Sequence, residues 1–387
     1  MRNRAAKILA MLIIAALVIV CLPFGLLLHR QTAYYAYKEV VYRAIAEDIA
    51  KRAEGRGSIA RSAMAYFYEH LYPVTGAAVI DKDVYNDLIR GIAWCDQRAW
   101  GMATILGKLG IDNRMLMVVN PNGESGHTVL EARAGGRWGL FDPTFGFEAV
   151  DKDGNAASYA DVCSDPSLFY SSPAMPALKR IDPTLYGKVM SFTSANVYYK
   201  NPRNPAIWSN PLNSKDAKRR AITAVLDLYS KVFGKYFSYP FQEVYLAIYS
   251  GISGYDPVYF KARNYDLMGR DESAIKYYTM LVEGNSSYKE KALFFYGVLL
   301  SKKGNERFST GLLKRLLKEY PNSKWTIAAH YYLGRNGILR GDIDSAVEEY
   351  RKVVKVYQQC ESDPEAMDIL KTDVVLRLDH LMKKYDN

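Results

Sequence analysis

The spacing of apolar residues changes several times along the chain, and each change predicts a different element. Ile8 to Leu28 is an uncharged, almost wholly apolar run. As an α-helix it would extend about 30 Å, the thickness of a bilayer's hydrocarbon layer. From Gln31 to about Arg90 apolar residues recur at three- and four-residue steps. Tyr35, Val40, Val41, Ile45 and Ile49 make one stripe, and Met64, Phe67, Tyr68 and Leu71 start another ahead of Pro73. That period predicts amphipathic helices. A further helix is predicted through Ala99, Met102, Ala103, Leu106 and Leu109, closed by Gly110. Between Arg114 and Phe141 the period shortens to that of strands, at Met115–Val119, His127–Arg133 and Arg137–Phe141. Asn120-Pro121-Asn122-Gly123 and Gly135-Gly136 stand between them as turns. A helix followed by a three-stranded antiparallel meander is therefore expected.

Seven of the fifteen prolines fall between Pro166 and Pro211, among many Ser, Asn and Tyr residues. This composition reads as an irregular connector, not as secondary structure. Helical periodicity returns at Ser214, a suitable N-cap for Ala217–Phe233. The last third then repeats, with Gly269, Gly304 and Gly341 ending comparable helices. Gly-Arg-Asp-Glu-Ser-Ala-Ile from Gly269 aligns with Gly-Asp-Ile-Asp-Ser-Ala-Val from Gly341, and the copy from Gly304 is poorer. Gly takes a left-handed turn conformation, and Ala lets two helices approach closely. A period near 34 residues with these types resembles the tetratricopeptide repeat, and Leu316–Ser323 is similar to repeats of bacterial envelope proteins. A generic helical bundle is the alternative. The expected class is α+β. A cytoplasmic tip and signal anchor (1–30, span 8–28) precede a domain of helices on an antiparallel sheet (31–165). A connector (166–213), a helical linker (214–254) and all-α repeats (255–387) follow.

Composition narrows the function classes. With 387 residues, 24% charged and 13% aromatic, the chain is globular, which excludes disordered and collagen-like classes. Four cysteines without a Cys-x-x-Cys pair exclude a disulfide scaffold and a zinc knuckle. A formal charge of +10 suggests nucleic acid, but there is no block of five like charges. Arg2, Arg4, Lys7 and Arg30 concentrate basic charge at the N-terminus, so no nucleic-acid partner is expected. Arg2, Arg4 and Lys7 precede the apolar run, against Arg30 and Lys38 after it. That bias keeps the N-terminus cytoplasmic and puts the body in the periplasm or outside the cell. The length of the run and the polar His29-Arg30-Gln31 after it favour an uncleaved single-pass anchor over a cleaved signal. Val20 before Cys21 fits a lipoprotein cleavage site poorly.

The candidate chemistry lies between Gly91 and Thr144. Cys95 begins the helix closed by Gly110, where unpaired N–H groups and the positive dipole end favour a thiolate. His127 begins the second strand and Asp142 ends the third. A two-residue turn at Gly135-Gly136 would set Ala134 opposite Arg137 and Val129 opposite Asp142, with His127 one diagonal step away. A three-residue loop would send His127 and Asp142 to opposite faces unless a bulge intervened.

Taken singly, Cys95 suits a core thiol, His127 a satisfied strand-end histidine and Asp142 the cap of an Asp-Pro-Thr turn. Together with Leu109-Gly110-Ile111, Arg114, Trp138 and Pro143-Thr144, they resemble the transglutaminase-like superfamily of papain-related cysteine enzymes. The resemblance covers about Tyr85 to Gly146, and it departs at Val129, where the family often has Trp. It implies Cys95 as nucleophile, His127 as general base and acid, and Asp142 as the orienting carboxylate. The chemistry implied is acyl-cysteine cleavage or transfer at a peptide or amide bond of a protein or peptide substrate. Hydrolysis is favoured and transamidation stays open. The backbone N–H of Cys95 is the natural first oxyanion donor, with Trp94 a second by proximity only.

Cys163 and Cys360 are isolated. His70, His330 and His380 lack partners at metal-ligand spacing, so no metal or cofactor is expected. Tyr277-Tyr278 and Tyr331-Tyr332 read as repeat packing more than as a saccharide groove. The repeats imply a protein partner. The alternative function is a non-catalytic envelope scaffold, using the same fold and repeats for binding in cell-envelope or polysaccharide assembly.

Overall fold

The computed structural model describes residues 11, 21–53, 59–72, 83–119, 125–134, 136–144, 146–165, 168, 197–199, 217–253 and 256–359. Of 117–119, 125–127, 134, 147, 163, 197–199, 251–253, 354 and 356–359 it describes the backbone alone. Helices dominate, with one antiparallel sheet, so the chain is α+β.

The N-terminal half contains α1 (Arg30–Ala53), α2 (Ile59–His70), α3 (Val84–Arg90) and α4 (Cys95–Lys108). The strands β1 (Asn113–Val119), β2 (Ser125–Ala134), β3 (Arg137–Asp142) and β4 (Phe147–Glu148) come next, then the short helix α5 (Tyr159–Ser164). The expected meander is present, and β4 and a further strand β5 (Val197–Tyr199) extend it to the order β4-β3-β2-β1-β5. β5 corrects the expectation that residues 166–213 hold no secondary structure, because Val197–Tyr199 pairs antiparallel with Met117–Val119. Its three residues are too few to raise a strand period above a Pro- and Ser-rich background. The rest of that connector lies outside the described residues, apart from Leu168.

Strand alternation gives the sheet two faces. Met115, Leu130, Ala132 and Phe141 join Ala99, Met102, Ala103 and Leu106 of α4 in the main core. Their neighbours Leu116, Val129 and Leu140 are buried on the other side, which α5 covers, with the Tyr159 N–H donating to Glu131 Oε1 at 2.7 Å.

The helices α6 (Ala217–Phe233) and α7 (Lys235–Ser253) lie along α1. Tyr35 Oη meets Thr223 Oγ1 at 2.7 Å and Arg43 pairs with Asp227 at 2.6 Å. The segment expected to link two regions is therefore part of the body. Three hairpins follow: α8 (Pro257–Leu267) with α9 (Asp271–Glu283), α10 (Lys289–Lys302) with α11 (Glu306–Glu319), and α12 (Thr326–Arg340) with α13 (Ile343–Gln359). Gly269, Gly304 and Gly341 all have φ between 66° and 76°, the left-handed turn that glycine supplies. Ala274 and Ala346 are fully buried at the packing position, and Ser309 fills it in the middle copy, donating to the Gly297 carbonyl at 2.7 Å. Gly334 permits the Tyr350 ring to come within 2.6 Å of where a Cβ would stand. Residues beyond Gln359, with Cys360 and His380, lie outside the described residues.

Most of the apolar run 8–28 also lies outside the described residues. Its final part departs from a continuous α-helix: Leu22–Leu28 is a 3-10 turn with Pro23 in its first positions, where the missing N–H interrupts α-helical bonding. The turn is docked on α7. Tyr249 Oη donates to the Leu27 carbonyl at 2.6 Å, and Phe24 packs on Phe237 and Phe241. Among the described residues no helix is long and apolar enough to cross a membrane.

His70 ends α2 in the core. Its ring stacks on Tyr66, and its Nδ1 lies 2.9 Å from the Tyr66 carbonyl oxygen. Burial, reinforced by Lys302, Arg263 and Arg52, holds the imidazole well below its usual pKa. An unfolded chain takes up this proton near pH 6.5, and the folded protein does not. The contribution of His70 to stability should therefore be constant above about pH 6.5 and fall by up to about 1.4 kcal/mol per pH unit below it. Urea denaturation of wild type and His70→Gln across that range isolates this contribution as their difference. A difference that does not vary with pH would contradict it.

Candidate active site

Cys95 is the first residue of α4 and is partly exposed. Helix geometry directs the first backbone N–H groups out of this end. The start is set locally: the Trp94 N–H donates to Gln97 Oε1 at 3.0 Å, and the Gln97 N–H to Asp96 Oδ1 at 2.8 Å.

The loop before Cys95 is held by two buried arginines. Arg98 Nε donates to the Ala93 carbonyl at 3.1 Å and its Nη2 to the Leu71 carbonyl at 2.9 Å. Arg263 of α8 donates to the Leu88 and Ile89 carbonyls at 2.6 and 3.3 Å. Its guanidinium lies 3.8 Å from the centroid of the Phe295 ring. Gly91, at φ 69°, has Phe295 within 2.7 Å of where a Cβ would stand, so a larger residue would displace this ring. The repeats thus brace the segment that presents Cys95.

On the sheet, Ala134 pairs with Arg137 and Leu130 with Phe141, the register of the two-residue turn. The pairing closes at Leu130–Phe141; continued one step in the same register it would set Val129 opposite Asp142, with 127 on the diagonal. The backbone of His127 pairs with Val118, and a bulge follows before Ser125 pairs with Val119. The side chain of His127 lies outside the described residues. Asp142 is buried and accepts the Thr144 N–H at 2.8 Å, and the Gly146 N–H donates to its carbonyl oxygen at 2.9 Å. Neither Cys95 nor Asp142 is without an interaction partner. β2 and β3 are antiparallel, so the start of one and the end of the other lie at the same end of the sheet. The body of α4 packs on the face of Leu130 and Phe141, and Asp142, by alternation, belongs with Leu140 and Trp138 on the other. Cys95, His127 and Asp142 are all at or near the ends of their elements.

Glu131 has no role in the sequence reading, and here it is fully buried. Arg114 stands directly opposite it and pairs through Nε at 2.6 Å, with its guanidinium over the Trp138 ring at 4.6 Å. The three residues tie β1, β2 and β3 into one register. Glu131 lies four residues from His127 on the same strand, and an acid there opposite Arg114 was the available signal. The signal for Arg98 was a charge within the apolar stripe of α4.

Among the described residues no group of three His, Cys, Asp or Glu side chains is arranged to hold a metal ion. His330 instead pairs with Glu349 at 2.5 Å. Comparisons with protein-family models, curated proteins and solved structures found no match to the chain. The residues themselves carry the functional reading.

Proposed function

We propose that the chain is a membrane-anchored, extracytoplasmic thiol enzyme of transglutaminase-like type, acting on peptide or amide bonds through an acyl-cysteine intermediate. The β2–β3 register carries this reading. From Leu130–Phe141 to Ala134–Arg137 it is the register a two-residue turn requires, and it brings the start of β2 and the end of β3 to one end of the sheet, while Cys95 opens the helix packed against β1 and β2.

In this reading the Cys95 thiolate adds to the substrate carbonyl carbon, and a C–S bond forms as the carbonyl pair moves to oxygen. The Cys95 backbone N–H donates to that oxyanion. Collapse breaks the C–N bond, and the departing amine takes its proton from the His127 imidazolium. Neutral His127 then removes a proton from water as it attacks the thioester. Collapse releases the carboxylic acid and the Cys95 thiolate, restoring the ion pair. Asp142 holds the imidazole in the required tautomer. An amine in place of water would give transamidation with the same first half.

The experiment is site-resolved labelling by a thiol-directed electrophile, with turnover of amide substrates, in wild type and Cys95→Ala. Selective labelling at Cys95 near neutral pH, and turnover lost in the variant, is the expected result. Equal labelling of both proteins, with no preference for residue 95 in the wild type, would overturn the reading. A non-catalytic scaffold is the second reading, favoured by the three helical hairpins. Under it, Cys95→Ala leaves function and partner recovery intact, while deletion of residues 255–387 abolishes recovery.

A further inference from the structure

Of the thirteen large hydrophobic side chains exposed among the described residues, eight lie on the 3-10 turn and on α6 and α7. They include Leu28, Leu228, Val232, Tyr236, Val244 and Ile248. Four-residue steps align Leu228 with Val232 on α6, and Tyr236, Pro240, Val244 and Ile248 on α7. The two helices are joined at Gly234, so their outward stripes form one surface. Monomeric proteins seldom expose so contiguous an apolar face.

The exposed charges of the two helices have one sign. The only acidic residues of the two helices, Asp227 and Glu243, pair with Arg43 and with Lys261 and Tyr265 of the body. Lys231 and Lys235 are exposed at the hairpin tip, and Lys218, Arg219 and Arg220 at the far end. An apolar stripe rimmed by Lys and Arg is the pattern of a helix lying in a membrane interface.

The path of the N-terminal run identifies the occupant. Leu22–Leu28, the end of the uncharged stretch, is fastened to α7 through Tyr249, Phe237 and Phe241. The stretch ahead of the docked turn, residues 8–21, would extend about 21 Å as a helix, short of the ~30 Å hydrocarbon layer. A run that crosses the bilayer must therefore carry its docked end, and the surface it is docked on, down to the lipid.

We infer that the α6–α7 hairpin, together with the 3-10 turn Leu22–Leu28, lies in the interface of an anionic lipid bilayer and seats the body flat on the membrane that anchors it. This rests on the anchoring part of the proposed function and is independent of its chemistry.

The test uses the full chain reconstituted into vesicles of phosphatidylglycerol and chain-brominated phosphatidylcholine. Trp is introduced at exposed positions, as Leu228→Trp and Ile248→Trp, with Phe308→Trp on α11 as the control. After subtraction of the parent's fluorescence, the first two should lose roughly half of the added emission to the bromines, as expected for side chains within 5–10 Å of the headgroup boundary. The control should lose none. Unquenched emission at both positions in protein that floats with the vesicles overturns the proposal. If such protein also crosslinks as two chains, the face belongs to a second copy. Protein that fails to float overturns both anchoring and docking, while the labelling of Cys95 still decides the chemistry separately.

Discussion

Replacing His127 by alanine should move the inflection in the pH profile of Cys95 alkylation up toward the ordinary thiol value of about 8.5 and leave full reactivity above it. In the proposed site an imidazolium and the α4 N-terminus would both favour the thiolate, so the wild-type inflection should lie below that value. Removing the ring leaves the helix end alone. Asp142→Asn, which keeps the side-chain volume, weakens the imidazolium without removing it and should give a smaller upward shift. In the proposed mechanism His127 protonates the leaving amine, so amide turnover should fall by about 10²–10⁴-fold in His127→Ala. Iodoacetamide kinetics, followed by mass spectrometry at residue 95, give the profile. Preserved alkylation at high pH shows that the variant is folded. Coincident wild-type and His127→Ala profiles, or a wild type that already inflects near 8.5, would remove the basis for catalysis.

Lys108→Met should cost about 3–5 kcal/mol of stability, the cost of breaking a buried ion pair from one side. Lys108 ends α4 with its Nζ on the Glu39 carboxylate of α1, and both side chains are almost fully buried. Thr223 of α6 donates to the same carboxylate at 3.4 Å, and Arg43 Nη1 donates to the Lys108 carbonyl at 2.6 Å. Burial raises the pKa of Glu39, and Lys108 opposes that rise. Without the lysine the carboxylate is uncompensated, so the loss should be greatest at neutral pH and shrink as acid protonates Glu39. Adding Glu39→Gln to Lys108→Met removes the stranded charge and should recover most of the loss. Chemical denaturation of the four proteins of this cycle measures the coupling. A loss under about 1 kcal/mol, or a double variant no better than the single, would show that the pair is not strongly coupled.

Local order was legible to a useful depth. The helix Ala217–Phe233 stands where its apolar period placed it, because amphipathicity acts within a few turns; its expected cap, Ser214, lies outside the described residues. The β2–β3 register followed from Gly135-Gly136, since the length of a hairpin turn determines which residues face each other. Gly269, Gly304 and Gly341 take the left-handed conformation expected of them. In the candidate site, the helix start at Cys95 and the strand end at Asp142 could be read. The braces around them could not. Arg98, Arg263 and Glu131 have no role in the sequence reading, because their partners, the Leu71, Leu88 and Ile89 carbonyls and Arg114, meet them only in the folded chain.

From the sequence alone came the α+β order, the register of the β2–β3 hairpin, and the spacing of the C-terminal helical hairpins, all consequences of interactions between residues close in the chain. Only the tertiary structure decided that Leu22–Leu28 turns back onto α7, that α6 and α7 flank α1, and that Glu39 meets Lys108 across 69 residues of chain. Such contacts depend on which apolar faces find one another and on which charges are stranded when they do. That choice is made by the whole packed chain.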